Sequence, residues 1–288
     1  MDGLGTPKVA ILSAVATVTT SSTIQVTRMI DLSTLPFLKG KKALVAGIAN
    51  DQSIGYGCAK AFRAFGADLA MTYRNDKAKK FVEPLAKELE ASIFMPLDLQ
   101  TEGHLEAIFE QIEKQWGKLD ICLHSIAFAP KADLQGRVVD CSKEGFLLAM
   151  EISCWSFIRM AKLAEPLMKD GGTLSTMTYY GSQVVVEHYN MMGPVKAALE
   201  SATRYLASEL GPKGIRVHAI SPGPLMTRAA SGITDFDELM AKAQAKAPAH
   251  RLVSIDDVGL AVAFLAMDAA KLITGETFYI DGGYHVID

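Results

Sequence analysis

Short apolar runs alternate with longer stretches of helical periodicity along almost the whole of this chain, and that alternation constrains its fold more than any other feature. Ala43–Ala46 is an apolar run ending at Gly47, and Gly55–Phe65 carries helical periodicity as far as Gly66. Asp68–Tyr73 reads as a second strand, Lys77–Glu90 as a charged amphipathic helix and Ile93–Leu97 as a third strand ending at Asp98. His104–Trp116 is helical, and Leu119–His124 is a fourth strand. The pattern continues with a long helical stretch Glu144–Met168, a strand Gly172–Thr178 and a helix Tyr189–Leu210 stopped by Gly211–Pro212. A strand Ile215–Ser221, helices Asp235–Ala245 and Ile255–Met267, and a last strand Glu276–Ile280 complete it. Seven strands alternating with helices predict βαβ units with right-handed crossovers. The expected fold is α/β, a doubly wound parallel sheet of the Rossmann type.

With 288 residues and no internal repeat or composition break after residue 34, a single domain is expected over residues 35–288. Residues 1–34 read as an N-terminal extension. Within it, Val9–Val18 is mildly apolar and Thr17–Thr23 is rich in Thr and Ser. Only Lys8 precedes the apolar stretch and Arg28 is the sole arginine, which suits neither a secretory signal nor a transit peptide. The preferred reading is an upstream extension of a protein whose natural start is Met29. A targeting segment and a structural arm are the alternatives.

Charge and cysteines narrow the function. Twenty-nine Lys and Arg against 32 Asp and Glu give −3, so no overall basic field exists for nucleic acid or an anionic membrane. The most apolar stretch, Val258–Met267, falls short of the ~20 residues that span a bilayer. Cys58, Cys122, Cys141 and Cys154 form no CxxC or CxxH pair, which argues against zinc and for reduced, mostly buried thiols in a cytosol-like compartment.

Ligands of such sheets bind at the carboxyl ends of the strands. The first strand runs into Gly47 and then Ser53-Ile54-Gly55-Tyr56-Gly57 before a helix. Glycine serves where backbone approaches a pyrophosphate or a helix packs tightly on a strand, and the helix N-terminus offers free N–H groups. The spacing is not GxGxxG, and an ordinary glycine-rich turn is the other reading. Asp98 can accept from adenine or cap its own loop. Ser125–Ala127 and Pro222–Leu225 follow later strands toward the same edge. Arg74, closing the second strand, tolerates a 2′-phosphate or is simply solvated, and neighbouring Asp76 opposes such a phosphate.

Tyr189 and Lys196 stand seven apart. On one helix, seven residues at ~100° each bring both side chains to nearly the same face. A lysine there can hold ribose hydroxyls, and a tyrosine can donate to a carbonyl that becomes an enolate. By itself this spacing is commonplace.

Taken together, these motifs resemble the enoyl-acyl-carrier-protein reductase branch of the short-chain dehydrogenase/reductase superfamily. The matching residues are Gly47 with Ser53-Ile54-Gly55, Tyr73-Arg74-Asn75-Asp76 and His124 through Pro130. Downstream come Tyr179 ten before Tyr189, Lys196 seven after it, Ser221 through Thr227, Ala229 through Ile233, and Asp281-Gly282-Gly283. Other superfamily members space Tyr and Lys four apart, and here that fourth position is Gly193. The resemblance implies catalytic roles for Tyr189, Lys196 and Tyr179. It implies a dinucleotide site of Gly47, Ser53, Ile54, Asp98, Leu99, Ile126, Lys196 and Leu225, with Arg74 beside it. Phe128, Ala129, Leu134, Tyr179, Met192, Ala229, Ile233 and Phe236 would line an acyl groove. Tyr180, His124 and His188 are expected to be packing or surface residues.

The implied reaction is hydride transfer from NADH, or from NADPH, to a trans-2-enoyl thioester carried by acyl-carrier protein. Family members are usually homotetramers of bacterial cytoplasm or plastids, and a cytoplasmic homotetramer with no metal is expected here. Where relatives often carry Lys and Arg for docking the acidic carrier, this chain has Thr234-Asp-Phe-Asp-Glu238, so docking either shifts to Lys242, Lys246 and Arg251 or is weak, and a solvated helix face is the other reading of these charges. Two rival readings are a ketoacyl reductase or similar short-chain enzyme, and a non-catalytic dinucleotide sensor. The intact Tyr179, Tyr189 and Lys196 set speaks against the sensor.

Overall fold

Seven parallel strands in the order β3-β2-β1-β4-β5-β6-β7 form one sheet. The computed structural model describes residues 37–225, 227 and 236–287, all within the unit Pro36–Asp288. The strands are β1 Lys42–Ala46, β2 Asp68–Tyr73, β3 Ile93–Pro96, β4 Ile121–His124, β5 Gly172–Met177, β6 Ile215–Pro222 and β7 Thr277–Ile280. The main helices are α1 Ile54–Ala64, α2 Asp76–Glu88, α3 His104–Trp116, α4 Lys131–Leu134, α5 Lys143–Met150, α6 Ser156–Ala164, α7 Met192–Leu210, α8 Phe236–Lys246 and α9 Ile255–Ala266. The chain winds outward from β1 to β3, then restarts at β4 on the other side of β1. That reversal opens a crevice at the carboxyl ends of β1 and β4, as doubly wound sheets require.

Alternate strand residues feed two cores. Val45, Leu69 and Met71 pack with Phe62 of α1, Val82 of α2 and Val262 of α9. Leu44, Ala70 and Leu174 pack on the other face with Ile108 of α3, Phe157 of α6 and Leu199 of α7. Both faces of the sheet are thus covered, which is why its strands read as continuous apolar runs. Arg216 of β6 is buried, and its guanidinium donates to the carbonyls of Leu265, Ala266 and Met267 at the carboxyl end of α9, where the Met267 oxygen also accepts from Ala270 N. Ser254 and Asp257 close the other end of α9 as a capping box.

Two expected helices are corrected. The stretch Glu144–Met168 is α5, a π-helical turn Glu151–Trp155, α6 and a 3₁₀ turn Glu165–Leu167. The π turn takes in one extra residue, and Ile152, Ser153 and Cys154 are all buried on it. The helix expected from Tyr189 begins at Met192. His188 and Asn190 have φ of 63° and 45°, left-handed values that a helix cannot absorb. The Asn190 side chain bonds the Leu134 carbonyl oxygen instead, at 2.7 Å. Tyr189 therefore sits on a turn ahead of α7, and the shared-helix-face argument for it does not hold.

Candidate active site

A crevice of about 730 Å³ lies along the carboxyl edge of the sheet. Gly47, Ser53, Ile54, Arg74, Asp98, Leu99, Ile126 and Leu225 line it, and so do Tyr179, Tyr189 and Lys196. Phe128, Ala129, Leu134 and Met192 line it as well. Ala229 and Ile233 lie outside the described residues, and Phe236 opens α8.

The glycines at the start of the crevice are explained by close approach between chain segments. Gly47 has φ 104°, and a Cβ on it would stand 2.1 Å from the Ser125 carbonyl oxygen at the end of β4. A Cβ on Gly57 would stand 2.2 Å from the Ile255 oxygen, so α9 seats α1 against the sheet. The Ser53 hydroxyl accepts from Ala49 N and Asn50 N at 3.0 and 3.1 Å and does not cap α1. The first amides of α1 thus take no side-chain cap, as an anion site at a helix N-terminus requires.

At the far end, Arg74 Nε donates to Asp98 Oδ2 at 3.3 Å, and its guanidinium lies 5.6 Å from the Phe128 ring centroid. The other Asp98 oxygen accepts from Gln100 N at 3.2 Å. Asp98 therefore caps its loop and also holds Arg74, which is not merely solvated. Thr72, Asn75, Lys77 and Ile152 line the crevice too and were missed from sequence. Asn75 carried a readable signal, as an N-cap residue ahead of a helix, and its side chain does accept from Ala78 N.

The chemical end is built from three segments. Lys196 of α7 is 4% exposed and donates from Nζ to the Met177 carbonyl oxygen at 2.8 Å, at the end of β5. Burial draws its pKa down to about 8, while the Cys154 thiol and the Glu200 carboxylate oppose the fall. Tyr179 follows β5, and its ring stands 4.9 Å from that of Tyr189, edge to face. Burial pushes both phenols upward, so each is a neutral donor at ordinary pH. The Tyr179 hydroxyl is buried with no hydrogen-bond partner among the described residues. A Cβ on Gly181 would meet the Tyr189 ring at 2.5 Å, and one on Gly193 would meet the Gly181 oxygen at 2.9 Å. These two glycines let the Tyr189 turn lie flat on the loop after β5.

The π turn supports the groove side. Ser153 Oγ accepts from Phe128 N at 3.0 Å and donates to Phe128 O at 3.1 Å, fixing the loop after β4. His124 is buried between Thr176 and Ser156, at 2.9 and 2.8 Å. The Ser156 hydroxyl is committed to the Ile152 carbonyl at 2.7 Å, so His124 donates from Nε2 and accepts at Nδ1. Burial, with Lys196 nearby, holds its pKa down at about 3, so it is neutral packing as expected. His188 is exposed, and Tyr180 packs edge-on against Tyr279, Tyr284 and His285. Cys58, Cys122 and Cys154 are buried free thiols, and Cys141 is partly exposed.

Residues 47–285 match the protein family described as enoyl-(acyl carrier protein) reductase. This chain belongs to that family. An NADH-named enoyl-acyl-carrier-protein reductase of Rhizobium meliloti is 45% identical over 250 residues, 87% of this chain and 92% of its own. The crystal structure of the Anaplasma phagocytophilum reductase in complex with NAD superposes with a TM-score of 0.84 at 45% identity, covering 87% of this chain and 96% of its own. The Bacillus cereus reductase, solved with NADP⁺ and an indole naphthyridinone, gives 0.85 at 40% identity, covering 88% and 99%.

For an enoyl-acyl-carrier-protein reductase, the crevice fits a dinucleotide by its donor set. Uncapped helix amides stand at one end, a buried lysine at the other, and an unpartnered phenol beside it. Among the described residues no helix is long and apolar enough to cross a membrane, and no cluster of His, Cys, Asp or Glu could hold a metal.

Proposed function

We propose that this enzyme reduces the carbon–carbon double bond of trans-2-enoyl thioesters on acyl-carrier protein, with NADH as reductant, and that residues 35–288 carry the activity. The observation that carries this reading is the pairing of Tyr179 and Tyr189, two neutral phenols 4.9 Å apart in the crevice that Lys196 also lines. A bound reduced nicotinamide supplies the hydride for the β-carbon of the substrate. Tyr189 donates a hydrogen bond to the thioester carbonyl, whose oxygen gains negative charge as hydride reaches the β-carbon, and a proton taken up at the α-carbon from solvent then completes the saturated chain. Tyr179 offers a second donor to the same region. Lys196 holds the coenzyme's ribose hydroxyls, and its positive charge favours the enolate. Gly47, Ser53, Ile54, Leu99, Ile126 and Leu225 hold the rest of the coenzyme, with Arg74 and Asp98 at its adenosine end. Phe128, Ala129, Leu134 and Met192 give the acyl chain an apolar wall.

The carrier protein is acidic, and the three cations expected to dock it are tempered. Lys242 pairs with Glu238 at 2.9 Å, Arg251 reaches Asp257 at 3.5 Å, and Lys246 lies over the Tyr284 ring. Docking then rests on the remaining positive field of these three residues. A cytoplasmic homotetramer is the assembly proposed, by likeness to the family.

The test follows NADH oxidation with crotonyl and acetoacetyl thioesters side by side. Oxidation with the crotonyl substrate alone supports the reading. Oxidation with the acetoacetyl substrate alone would make the enzyme a ketone reductase, and none with either would make it a sensor.

A further inference from the structure

Glu200 lies four residues beyond Lys196, one turn along α7, and is 2% exposed. Burying a carboxylate is costly unless its oxygens are well supplied with donors. Here Oε1 accepts from Thr178 Oγ1 at 2.7 Å and from Ser182 Oγ at 2.5 Å. Oε2 accepts from Gln183 Nε2 at 2.7 Å. All three donors belong to the segment 178–183, which follows β5 and carries Tyr179. The same segment holds Gly181, against which the Tyr189 ring lies. One turn back on α7, Lys196 binds the carbonyl of Met177. A single helix thus grips consecutive residues at the end of β5 with a cation and an anion.

The donor chemistry selects a carboxylate. An ionised Glu is acceptor-only and serves three donors, whereas an amide has one acceptor oxygen and a donor NH₂ group. No Lys or Arg stands within ion-pair distance of Glu200 among the described residues, so stabilising a partner cation by contact is not what it does. We infer that Glu200 is a positioning residue for enoyl reduction: by tying Thr178, Ser182 and Gln183 to α7, it fixes Tyr179 and Tyr189 relative to Lys196. The inference rests on the function proposed above. The charge has a second effect. The groups facing buried Lys196 are the Cys154 thiol on the π turn, His124 on β4 and Glu200 on its own helix. With His124 held neutral and Cys154 a thiol, Glu200 is the anion among them.

Glu200→Ala and Glu200→Gln separate the two effects, measured by steady-state turnover of crotonyl thioester and by coenzyme Kd from fluorescence. Misplacing a reacting group by about 1 Å costs about 100-fold, and a loss of kcat of that order is expected for Glu200→Ala with coenzyme Kd little changed. Glu200→Gln should recover part of kcat at neutral pH, because Gln183 can turn its amide oxygen toward the new NH₂ group. In that variant the fall of kcat as pH rises through about 8 should move to lower pH, since Lys196 has lost its supporting anion. If Glu200→Ala does not fold, the double variant Ser182→Ala/Gln183→Leu removes two of the donors and should show the same split. Unchanged kcat, or kcat and coenzyme affinity falling in step, overturns the inference. An inactive wild-type enzyme would overturn the proposed function itself, and this inference with it.

Discussion

The Cβ that Gly193 lacks would stand 2.9 Å from the carbonyl oxygen of Gly181. Position 193 is where a lysine four residues after Tyr189 would sit, and no side chain fits there without moving the loop that carries Tyr179. The longer spacing to Lys196 therefore goes with a different seat for the tyrosine. Gly193→Ala should lower kcat/KM for crotonyl thioester by about tenfold to 100-fold through displacement of the Tyr189 turn. Steady-state kinetics beside a melting curve checks this. An active Gly193→Ala enzyme with ordinary kcat would show that the contact is slack.

The proposed site puts the choice of coenzyme on Arg74 and Asp98. The guanidinium that could meet a 2′-phosphate is held by Asp98 and lies over Phe128, and Asp76 begins α2 beside it. NADH should give the higher kcat/KM. Asp98→Asn should free Arg74 and move the preference toward NADPH by about tenfold, the worth of roughly 1.4 kcal/mol. The ratio of kcat/KM for the two coenzymes in both enzymes decides. An NADPH excess in the wild type would contradict the assignment.

His218 predicts a stability change with a definite sign. It is fully buried on β6, both ring nitrogens lack a partner among the described residues, and burial holds its pKa down at about 4. The unfolded chain takes up a proton near pH ~6.5 and the folded one cannot until about 4, so this group's contribution to stability is lost as pH falls between them. Each such histidine contributes a slope of roughly 1.4 kcal/mol per pH unit in that window, and His124 extends it to about 3. His218→Leu should raise stability at neutral pH by about 1–3 kcal/mol, by removing an unsatisfied polar group, and should flatten the acid slope. Denaturant unfolding across that pH range measures both. A destabilised variant with an unchanged slope would show that the imidazole is satisfied in solution.

Much of this architecture was legible because parallel strands buried on both faces are short apolar runs punctuated by Gly and Asp, as at Ala43–Gly47 and Ile93–Asp98. The crevice was legible because strand ends converge by topology, and the proposed site residues whose side chains are described line it. The lead-in to α7 was not legible. Left-handed Asn190 is fixed by a bond to Leu134, distant in sequence, and local periodicity runs on through it. Nor was the π turn, since the apolar pattern of Glu144–Met168 gives no sign of one extra residue. Glu200 was passed over for a related reason: a lone glutamate on a helix reads as solvated until its three donors are seen.

The roles of Tyr189 and Lys196 are the centre of the account, and they separate in one pair of variants. Tyr189→Phe removes only the hydroxyl proposed to meet the enolate. It should cost about 10²–10³ in kcat, or ~2.7–4 kcal/mol, with little change in coenzyme Kd. Lys196→Ala removes the group proposed to hold the ribose, and should weaken coenzyme binding as well as turnover. The decisive measurement is coenzyme Kd by fluorescence alongside kcat with crotonyl thioester for both variants. The account predicts a turnover defect alone for Tyr189→Phe and a combined defect for Lys196→Ala, and it is contradicted if Tyr189→Phe loses the coenzyme while Lys196→Ala keeps it.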